Sequence, residues 1–419
     1  MSKKKISTLG SKLGALGPGI LMASAAVGGS HIIASTQAGA IYGWQLAIII
    51  ILANLFKYPF FRFGTQYTLD NGHSLLTGYY EKGRFYIGIF LVLSLFAAVV
   101  NTAAVSMITA AILSFILPFK ASTTMLSVVV LSASMAIILL GRYSVLDTVS
   151  KLIMITLTAT TVWAVLIAFS RTGFDGVMTP DFIEPSPWQL GALGFIIALM
   201  GWMPAPIEIS ALNSMWVIAK KKIKRVSYED GLLDFNVGYV GTAILALVFL
   251  ALGALVQYGS GVEVETRGVA YINQFINMYA ATIGEWARGL IAFIAFMCMF
   301  GTTITVVDGY SRVNCESIRL VLGKDQTKLV YFNLCVIITS VIGFFIISMF
   351  NNALGPMVRF AMIASFVTTP IFAWLNLSLV LSKGQHKVKG FLYYLSITGL
   401  AYLSIFALFF ITYELGLFK

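Results

Sequence analysis

The 419-residue chain is 58% hydrophobic and 11% charged, whereas a soluble domain carries about 25% charged residues. This balance excludes a soluble globular protein and predicts one helical membrane domain over residues 1–419. The three cysteines lack metal-ligand spacing, which excludes a disulfide framework and a zinc site. The formal net charge of +11 would suit nucleic acid, but its distribution follows membrane topology instead.

Eleven apolar segments follow one another along the chain, and crossing a bilayer takes about 20 apolar residues. They lie at 15–38, 45–66, 85–117, 122–141, 145–170, 188–218, 230–257, 284–312, 329–350, 353–382 and 391–413. Lys and Arg concentrate in alternate connections, starting with the N-terminal segment 1–14, and acidic residues are richer in the others. The positive-inside rule therefore predicts a multi-pass cell-membrane protein with a cytoplasmic N-terminus and an extracytoplasmic C-terminus.

The first segment is interrupted near its centre by Gly28-Gly29-Ser30-His31. Each glycine inside a helix costs about 1 kcal/mol relative to alanine. Unwound backbone at membrane depth is tolerated only where protein buries it or where it lines a cavity. We therefore predict that residues 28–31 are unwound and face other parts of the protein.

The sixth segment is interrupted in the same way, by Met203-Pro204-Ala205-Pro206. Broken spans at corresponding positions of the two halves are the sequence pattern that points to the binding site of a secondary transporter. We predict that Gly29 in the first break, and Pro204, Ala205 and Pro206 in the second, let the two breaks meet at mid-membrane.

The two breaks divide the chain into halves of five spans, residues 15–170 and 188–382, with an additional helix at 391–413. Because five is odd, the halves cross the membrane in opposite orientations and form an inverted repeat. The predicted fold is an all-α integral membrane protein of about eleven transmembrane helices, with a LeuT-like, APC-type five-plus-five inverted repeat and broken helices 1 and 6.

The first two segments also carry a family resemblance. The sequences GPGILMASAAVGGSHIIASTQAGAIYG and LANLFKYPFFRFG resemble the first two helices of the NRAMP (natural resistance-associated macrophage protein) metal transporters. That family reads GPG, then an Asp-Pro-Gly-Asn break, then QAGAQYGY and LLANL, and GWMPAPIEISA resembles its sixth-helix Met-Pro-His-Asn break. On this match the metal-binding Asp falls on Gly28, and the break's Pro, Gly and Asn fall on Gly29, Ser30 and His31.

The resemblance implies a metal cation as substrate, bound at Gly28, Ser30 and His31 in the first break and at Met200 and Met203 in the sixth segment. Imidazole and thioether groups suit transition metals, whereas magnesium and calcium require oxygen ligands. We therefore expect any bound metal to be an ion such as manganese, iron, cobalt or zinc.

Placing a charged group inside a membrane costs free energy, so an ionisable side chain within a span is by default expected to have a function. Such side chains are candidates for coupling transport to an ion gradient. Glu208, the carboxylate nearest in sequence to either break, is expected to take up a proton as substrate enters or leaves. Asp308 in the eighth span is a second candidate and could pair with Arg359 in the tenth. Lys57 is expected to snorkel or pair near the cytoplasmic side, and Asn101 to join helices or line the cavity. Protons and sodium both remain open as coupling ion.

Two substrate classes fit this sequence. The first is a divalent transition metal, moved by alternating access with possible proton coupling. The second is a small organic anion or amino acid, because Gly28-Gly29-Ser30 before a half-helix exposes N–H groups at a positive dipole end. We expect neither a transport-inactive receptor nor an enzyme, since no signalling domain, nucleophile–base pair or phosphate loop is visible. The expected partners are the transported ion or solute and the bilayer, without cofactor, nucleic acid or obligate protein partner.

Overall fold

The computed structural model describes residues 17–140, 143–224, 226–265, 268–324, 326, 328–350 and 353–417, without the side chains of 143–151, 153, 154 and 268. The basic N-terminal segment 1–14, on which the predicted orientation partly depends, lies outside the described residues. Within these ranges the regular structure is helical and contains no strand.

The described ranges contain fifteen α-helices, numbered here in chain order. They are α1 (Pro18–Ala26), α2 (Thr36–Tyr42), α3 (Ala47–Asn71), α4 (Leu75–Lys82), α5 (Arg84–Ile116), α6 (Thr123–Leu140), α7 (Tyr143–Thr172), α8 (Leu193–Trp202), α9 (Ile209–Ile223), α10 (Tyr228–Val256), α11 (Gly268–Ile283), α12 (Ala287–Val321), α13 (Leu329–Phe350), α14 (Leu354–Lys383) and α15 (Phe391–Glu414). A π-helical turn, Ser30–Ser35, runs into α2, and a 3-10 turn, Leu190–Ala192, precedes α8.

Among the described residues, nine helices are long and apolar enough to cross a membrane, namely α3, α5, α6, α7, α10, α12, α13, α14 and α15. The segments Pro18–Ala26 and Ser30–Tyr42 form a further span that is bent by 48° at its break. The shorter helices α8 and α9 occupy the position of the predicted sixth span, with a break between them. The predicted all-helical fold with two broken spans is confirmed.

The first break lies slightly earlier than the sequence predicts. α1 ends at Ala26, and the π-helical turn begins at Ser30, so that only residues 27–29 connect the two halves. Ser30 and His31, which were predicted to be unwound, are therefore helical. Hydroxyls of Ser35 and Thr36 donate to the carbonyls of Ser30 and His31, each over 3.1 Å, and stabilise this wider turn.

The second break lies where it was predicted and is longer. α8 ends at Trp202 and α9 begins at Ile209, which leaves residues 203–208 outside both helices. Pro204 and Pro206 have no N–H group, so they cannot continue the hydrogen bonds of α8. The last carbonyls of α8 therefore need partners from elsewhere in the protein.

Helix α10 packs closely along both halves of the broken first span. A Cβ atom at Gly19 would lie 2.2 Å from the carbonyl oxygen of Asp234, and one at Gly39 would lie 1.9 Å from that of Leu250. Glycine at these positions lets the backbones touch, as is typical of membrane helix interfaces. The first span is therefore fixed to α10 on both sides of its break.

A carboxylate of α10 also fixes the start of α1. Oδ1 of Asp234 accepts a hydrogen bond from the backbone N–H of Gly17 at 3.0 Å, and Oδ2 accepts one from Gly19 at 2.7 Å. The first N–H groups of a helix have no partner within the helix and form the positive end of its dipole. The buried carboxylate of Asp234 accepts from these N–H groups and also places a negative charge at the positive end of the dipole.

We expect Asp234→Ala to destabilise the protein by about 1.5–3 kcal/mol, because two charge-assisted hydrogen bonds to buried N–H groups are lost. The melting temperature of the purified protein in detergent measures this loss. Glu229→Ala, at an exposed position in the first turn of the same helix, is the matched control and should lower the melting temperature much less. Equal melting temperatures for Asp234→Ala and the unaltered protein would contradict this role.

Candidate functional site

A small cavity of about 30 Å³ lies between the two breaks and has room for one or two water molecules. Gly29 of the first break lines it together with Ala205 and Pro206 of the second. The complete wall consists of Ala25, Ala26, Gly29, Ser30, Asn101, Val105, Trp202, Ala205, Pro206, Ile209, Thr302, Val306 and Tyr310. The two broken spans therefore share one cavity with α5 and α12.

The indole of Trp202 closes one side of this cavity. A Cβ atom at Gly29 would lie 2.5 Å from Cζ3 of Trp202 and 3.0 Å from Cδ1 of Ile108, so the ring lies directly on the backbone of the first break. Nε1 of Trp202 donates a hydrogen bond of 3.1 Å to Oδ1 of Asn101, which fixes the ring. Glycine at position 29 thus makes room for the indole.

A chain of hydrogen bonds runs from the cavity wall to Glu208. Nδ2 of Asn101 donates to the hydroxyl of Tyr310 at 3.0 Å, and this hydroxyl donates to Oε1 of Glu208 at 3.0 Å. All three side chains are buried, and Oε2 of Glu208 has no hydrogen-bond partner within the described residues. The arrangement links a cavity-lining hydroxyl to a carboxylate and can relay a proton between them. Asn101 lines the cavity, which is one of the two roles expected for it.

Neutral side chains of α12 satisfy the carbonyls at the first break. Oγ1 of Thr302 donates to the carbonyl of Ser24 at 3.2 Å, and Sγ of Cys298 donates to that of Val27 at 3.1 Å. These contacts compensate for the hydrogen bonds that the end of α1 loses where the chain bends.

A charged side chain satisfies the carbonyls at the second break. Nζ of Lys57 in α3 donates to the backbone oxygens of Met200 at 2.6 Å, Gly201 at 2.9 Å and Ala205 at 3.2 Å. The side chain is fully buried, so the expectation that Lys57 snorkels towards the surface was wrong. The open carbonyls at the end of α8 supply the polar partners that water would supply at the surface.

His31 does not lie at the cavity wall. The residue is fully buried, and its Nε2 donates to the carbonyl of Thr242 in α10 at 2.9 Å. Its Nδ1 shares a hydrogen bond of 2.7 Å with Oγ of Ser30, which does line the cavity. In this conformation the imidazole joins the first span to α10.

The other predicted metal ligands are also engaged elsewhere. Met200 and Met203 are buried and do not line the cavity, and Sδ of Met200 accepts a hydrogen bond of 3.2 Å from the hydroxyl of Tyr402. Gly28 faces α12, where a Cβ atom would lie 2.8 Å from Oγ1 of Thr302. The described residues contain no group of three or more His, Cys, Asp or Glu side chains that could hold a metal ion.

Asp308 does not pair with Arg359, as the sequence had suggested it could. The carboxylate of Asp308 instead accepts two hydrogen bonds, of 2.7 and 2.8 Å, from Arg312 one turn further along α12. This pairing at an i,i+4 spacing is local to one helix. These hydrogen bonds do not join Asp308 to the hydrogen-bond chain that ends at Glu208.

Arg359 lies at a second, larger cavity of about 400 Å³, called the vestibule below. The first span, α8, α11 and the start of α14 form its wall, which consists of Ile33, Ala34, Gln37, Phe195, Ala198, Leu199, Tyr271, Leu354, Gly355, Pro356, Val358, Arg359 and Met362. Among these described wall residues only Arg359 is charged. Leu199 of the vestibule comes one turn before Trp202 of the small cavity, so α8 contributes to the walls of both. The predicted orientation places the vestibule on the extracytoplasmic side.

Sequence reasoning missed three side chains that form the small cavity. Trp202, Thr302 and Tyr310 lie in apolar spans, where a single aromatic or hydroxyl residue is ordinarily a packing residue. A signal was available for Trp202, because it directly precedes the predicted break at Met203. The positions of Thr302 and Tyr310, two turns apart on α12, become informative only once α12 is known to face the breaks.

The fold defines a class of proteins. The chain is similar to a manganese transporter of Eremococcus coleocola, with a TM-score of 0.73 and 13% identity over 99% of this chain and 89% of that one. It is also similar to Mhp1, a nucleobase-cation-symport-1 family transporter solved in a closed conformation with bromovinylhydantoin bound, with a TM-score of 0.60 and 13% identity over 95% and 93% of the two chains. These similarities show that the protein has the LeuT-like fold.

The sequence places the chain more narrowly. No model of a known protein family matches it. It is 67% identical over 410 residues to the uncharacterized protein PM0681 of Pasteurella multocida (strain Pm70), over 98% of this chain and 94% of that protein. The chain belongs to the family of that protein.

We expect Gly29→Ala to destabilise the protein by about 1–3 kcal/mol, because the new methyl group would overlap the indole of Trp202. The melting temperature and the tryptophan fluorescence of the purified protein check this expectation. Gly88→Ala in α5 is the matched control, since a Cβ atom there meets no atom within 4 Å. If both variants melt at the same temperature, the packing of Trp202 on the first break is not tight.

Proposed function

We propose that this protein is a secondary active transporter that moves a small solute across the cell membrane by alternating access. The observation that carries the proposal is the buried cavity that the two broken spans share. Broken spans in a membrane protein line binding cavities because their free backbone groups cannot face lipid. The fold similarity to a manganese transporter and to Mhp1 supports the same proposal.

The composition of the cavity wall favours a small organic solute. The wall offers the hydroxyls of Ser30, Thr302 and Tyr310 and the amide of Asn101, without a carboxylate or a thioether. A divalent ion binds best to anionic or soft ligands, which this wall lacks in the present conformation. Hydroxyl and amide groups beside the indole of Trp202 suit the polar and apolar parts of an organic molecule.

Two features with positive electrostatic potential, a helix start and an arginine, favour a solute that carries a carboxylate. The helical segment that begins at Ser30 has the positive end of its dipole at the first break, where the N–H groups of His31 and Ile32 donate to the carbonyl of Gly28 at 3.1 and 2.9 Å. Arg359 places an exposed positive charge at the vestibule, through which a solute would reach Trp202. We therefore propose an amino acid or another small organic anion as the substrate.

A divalent transition metal is the second candidate. It is favoured by the higher TM-score to the manganese transporter and by the resemblance of residues 17–43 to the first helix of the NRAMP proteins. Met203 would be its soft ligand, and it reaches the cavity only if the second break rearranges. The missing carboxylate at Gly28 weakens this candidate.

Uptake into proteoliposomes that contain the purified protein tests both candidates. The panel comprises radiolabelled amino acids and small carboxylates on one side, and manganese, iron, cobalt and zinc ions on the other, with and without an inward proton gradient. Saturable uptake of a carboxylate-bearing solute supports the first proposal, and metal uptake alone supports the second. If no solute in the panel enters faster than into protein-free liposomes, the proposal of transport fails.

Glu208 is the proposed site of proton coupling, because the hydrogen bonds through Tyr310 connect it to the cavity wall. We expect Glu208→Gln to retain substrate binding, since the amide oxygen can still accept from Tyr310, and to abolish the dependence of uptake on a proton gradient. Uptake measured over a range of pH values checks this, with Glu285→Gln at an exposed carboxylate as control. An unchanged pH profile in Glu208→Gln would show that this carboxylate is structural.

A further inference from the structure

The surroundings of Lys57 have the composition of a cation-binding site. Its ammonium group has three N–H donors, and three backbone oxygens accept from it, those of Met200, Gly201 and Ala205. The three N···O distances of 2.6, 2.9 and 3.2 Å bring the oxygens of one short chain segment around a single positive charge. Two of the oxygens belong to the last turn of α8 and the third to the second break, whereas the cation belongs to a different helix, α3.

The chain creates this set of oxygens independently of the lysine. In a continuous helix the carbonyl of Met200 would accept from residue 204, which is a proline without an N–H group, and here it retains only a long bond of 3.4 Å from the N–H of Met203 within the chain segment. The carbonyl of Gly201 loses its partner because α8 ends at Trp202. In membrane transporters, unwound carbonyls and the negative ends of half-helices are the groups that coordinate coupling cations. The second break therefore offers a site for a cation whether or not a lysine fills it.

A buried carboxylate lies at the other end of the same break. Glu208 is the carboxylate nearest in sequence to the three oxygens, and Tyr310, which lines the small cavity, donates to one of its oxygens at 3.0 Å. Because a charge at membrane depth is expensive, a carboxylate in the same break is a candidate counter-charge for the ammonium group.

We propose that Lys57 is a tethered cation, which permanently occupies a cation-binding site built from the backbone of the second break. The protein would then need no free sodium ion at this position, since its own ammonium group supplies the charge that holds the break together. That Lys57 occupies this site is a property of the folded protein alone. That transport needs no sodium ion at this position rests on the proposed transport function.

Chemical rescue of Lys57→Ala by propylammonium tests the binding part. The substitution removes three carbons and the ammonium nitrogen, and propylammonium consists of those same groups. We expect Lys57→Ala to melt well below the unaltered protein in choline buffer, and to regain stability in a saturable way as propylammonium replaces choline at constant ionic strength. Propanol, which has a similar shape without the charge, should not restore stability. Lys120→Ala, at an exposed lysine, should behave as the unaltered protein in all these buffers.

If propylammonium and propanol act equally, or if neither acts, Lys57 is a packing or capping residue and the inference is overturned. If Lys57→Ala yields no folded protein in choline buffer, the yield of monodisperse protein purified in propylammonium against propanol is the measurement, with the same expected difference. The coupling consequence has its own test in proteoliposomes, where uptake by the unaltered protein should be equal in sodium and choline buffers. A sodium requirement would overturn that consequence, whereas absence of any uptake would count against the transport proposal and leave the stability result valid.

Discussion

The structure depends on one constraint, that backbone N–H and C=O groups at membrane depth must find partners inside the protein. Both broken spans interrupt the regular pairing of a helix, and three of the resulting helix ends are satisfied by a neighbouring helix. Asp234 binds the N–H groups at the start of α1, Thr302 and Cys298 bind the carbonyls at its end, and Lys57 binds those at the end of α8. Of the helices that supply these groups, α3, α10 and α12, the last also lines the small cavity.

The two breaks solve this problem with different chemistry. Hydroxyl and thiol groups of α12 bind the carbonyls at the first break. An ammonium group binds those at the second, and the buried carboxylate of Glu208 lies in the same break. The charged side chains Lys57 and Glu208 therefore lie at the break in the sixth span, although the first span contains the more conspicuous sequence motif.

Hydropathy was sufficient to predict the spans, and proline and glycine were sufficient to predict both breaks, because these signals are local. The prediction failed where the direction of a side chain mattered. His31 lies in the right segment, but the π-helical turn directs it towards Thr242 of α10, and no sequence pattern announces that turn. Lys57 was expected to snorkel or to pair near the cytoplasmic side, and its three oxygen partners could not be predicted because they are more than 140 residues away in the chain. Asp308 found its partner one helical turn away, whereas the prediction had looked for one on another span.

The glycine contacts along α10 limit how the molecule can change shape. Backbone touches backbone at Gly19 on one side of the first break and at Gly39 on the other, so neither half of that span can tilt alone. A similar contact joins α3 to α9, where a Cβ atom at Gly64 would lie 2.5 Å from the carbonyl oxygen of Ser210. We therefore expect a rearrangement that exposes the cavity to carry α10 together with the first span, and α9 together with α3.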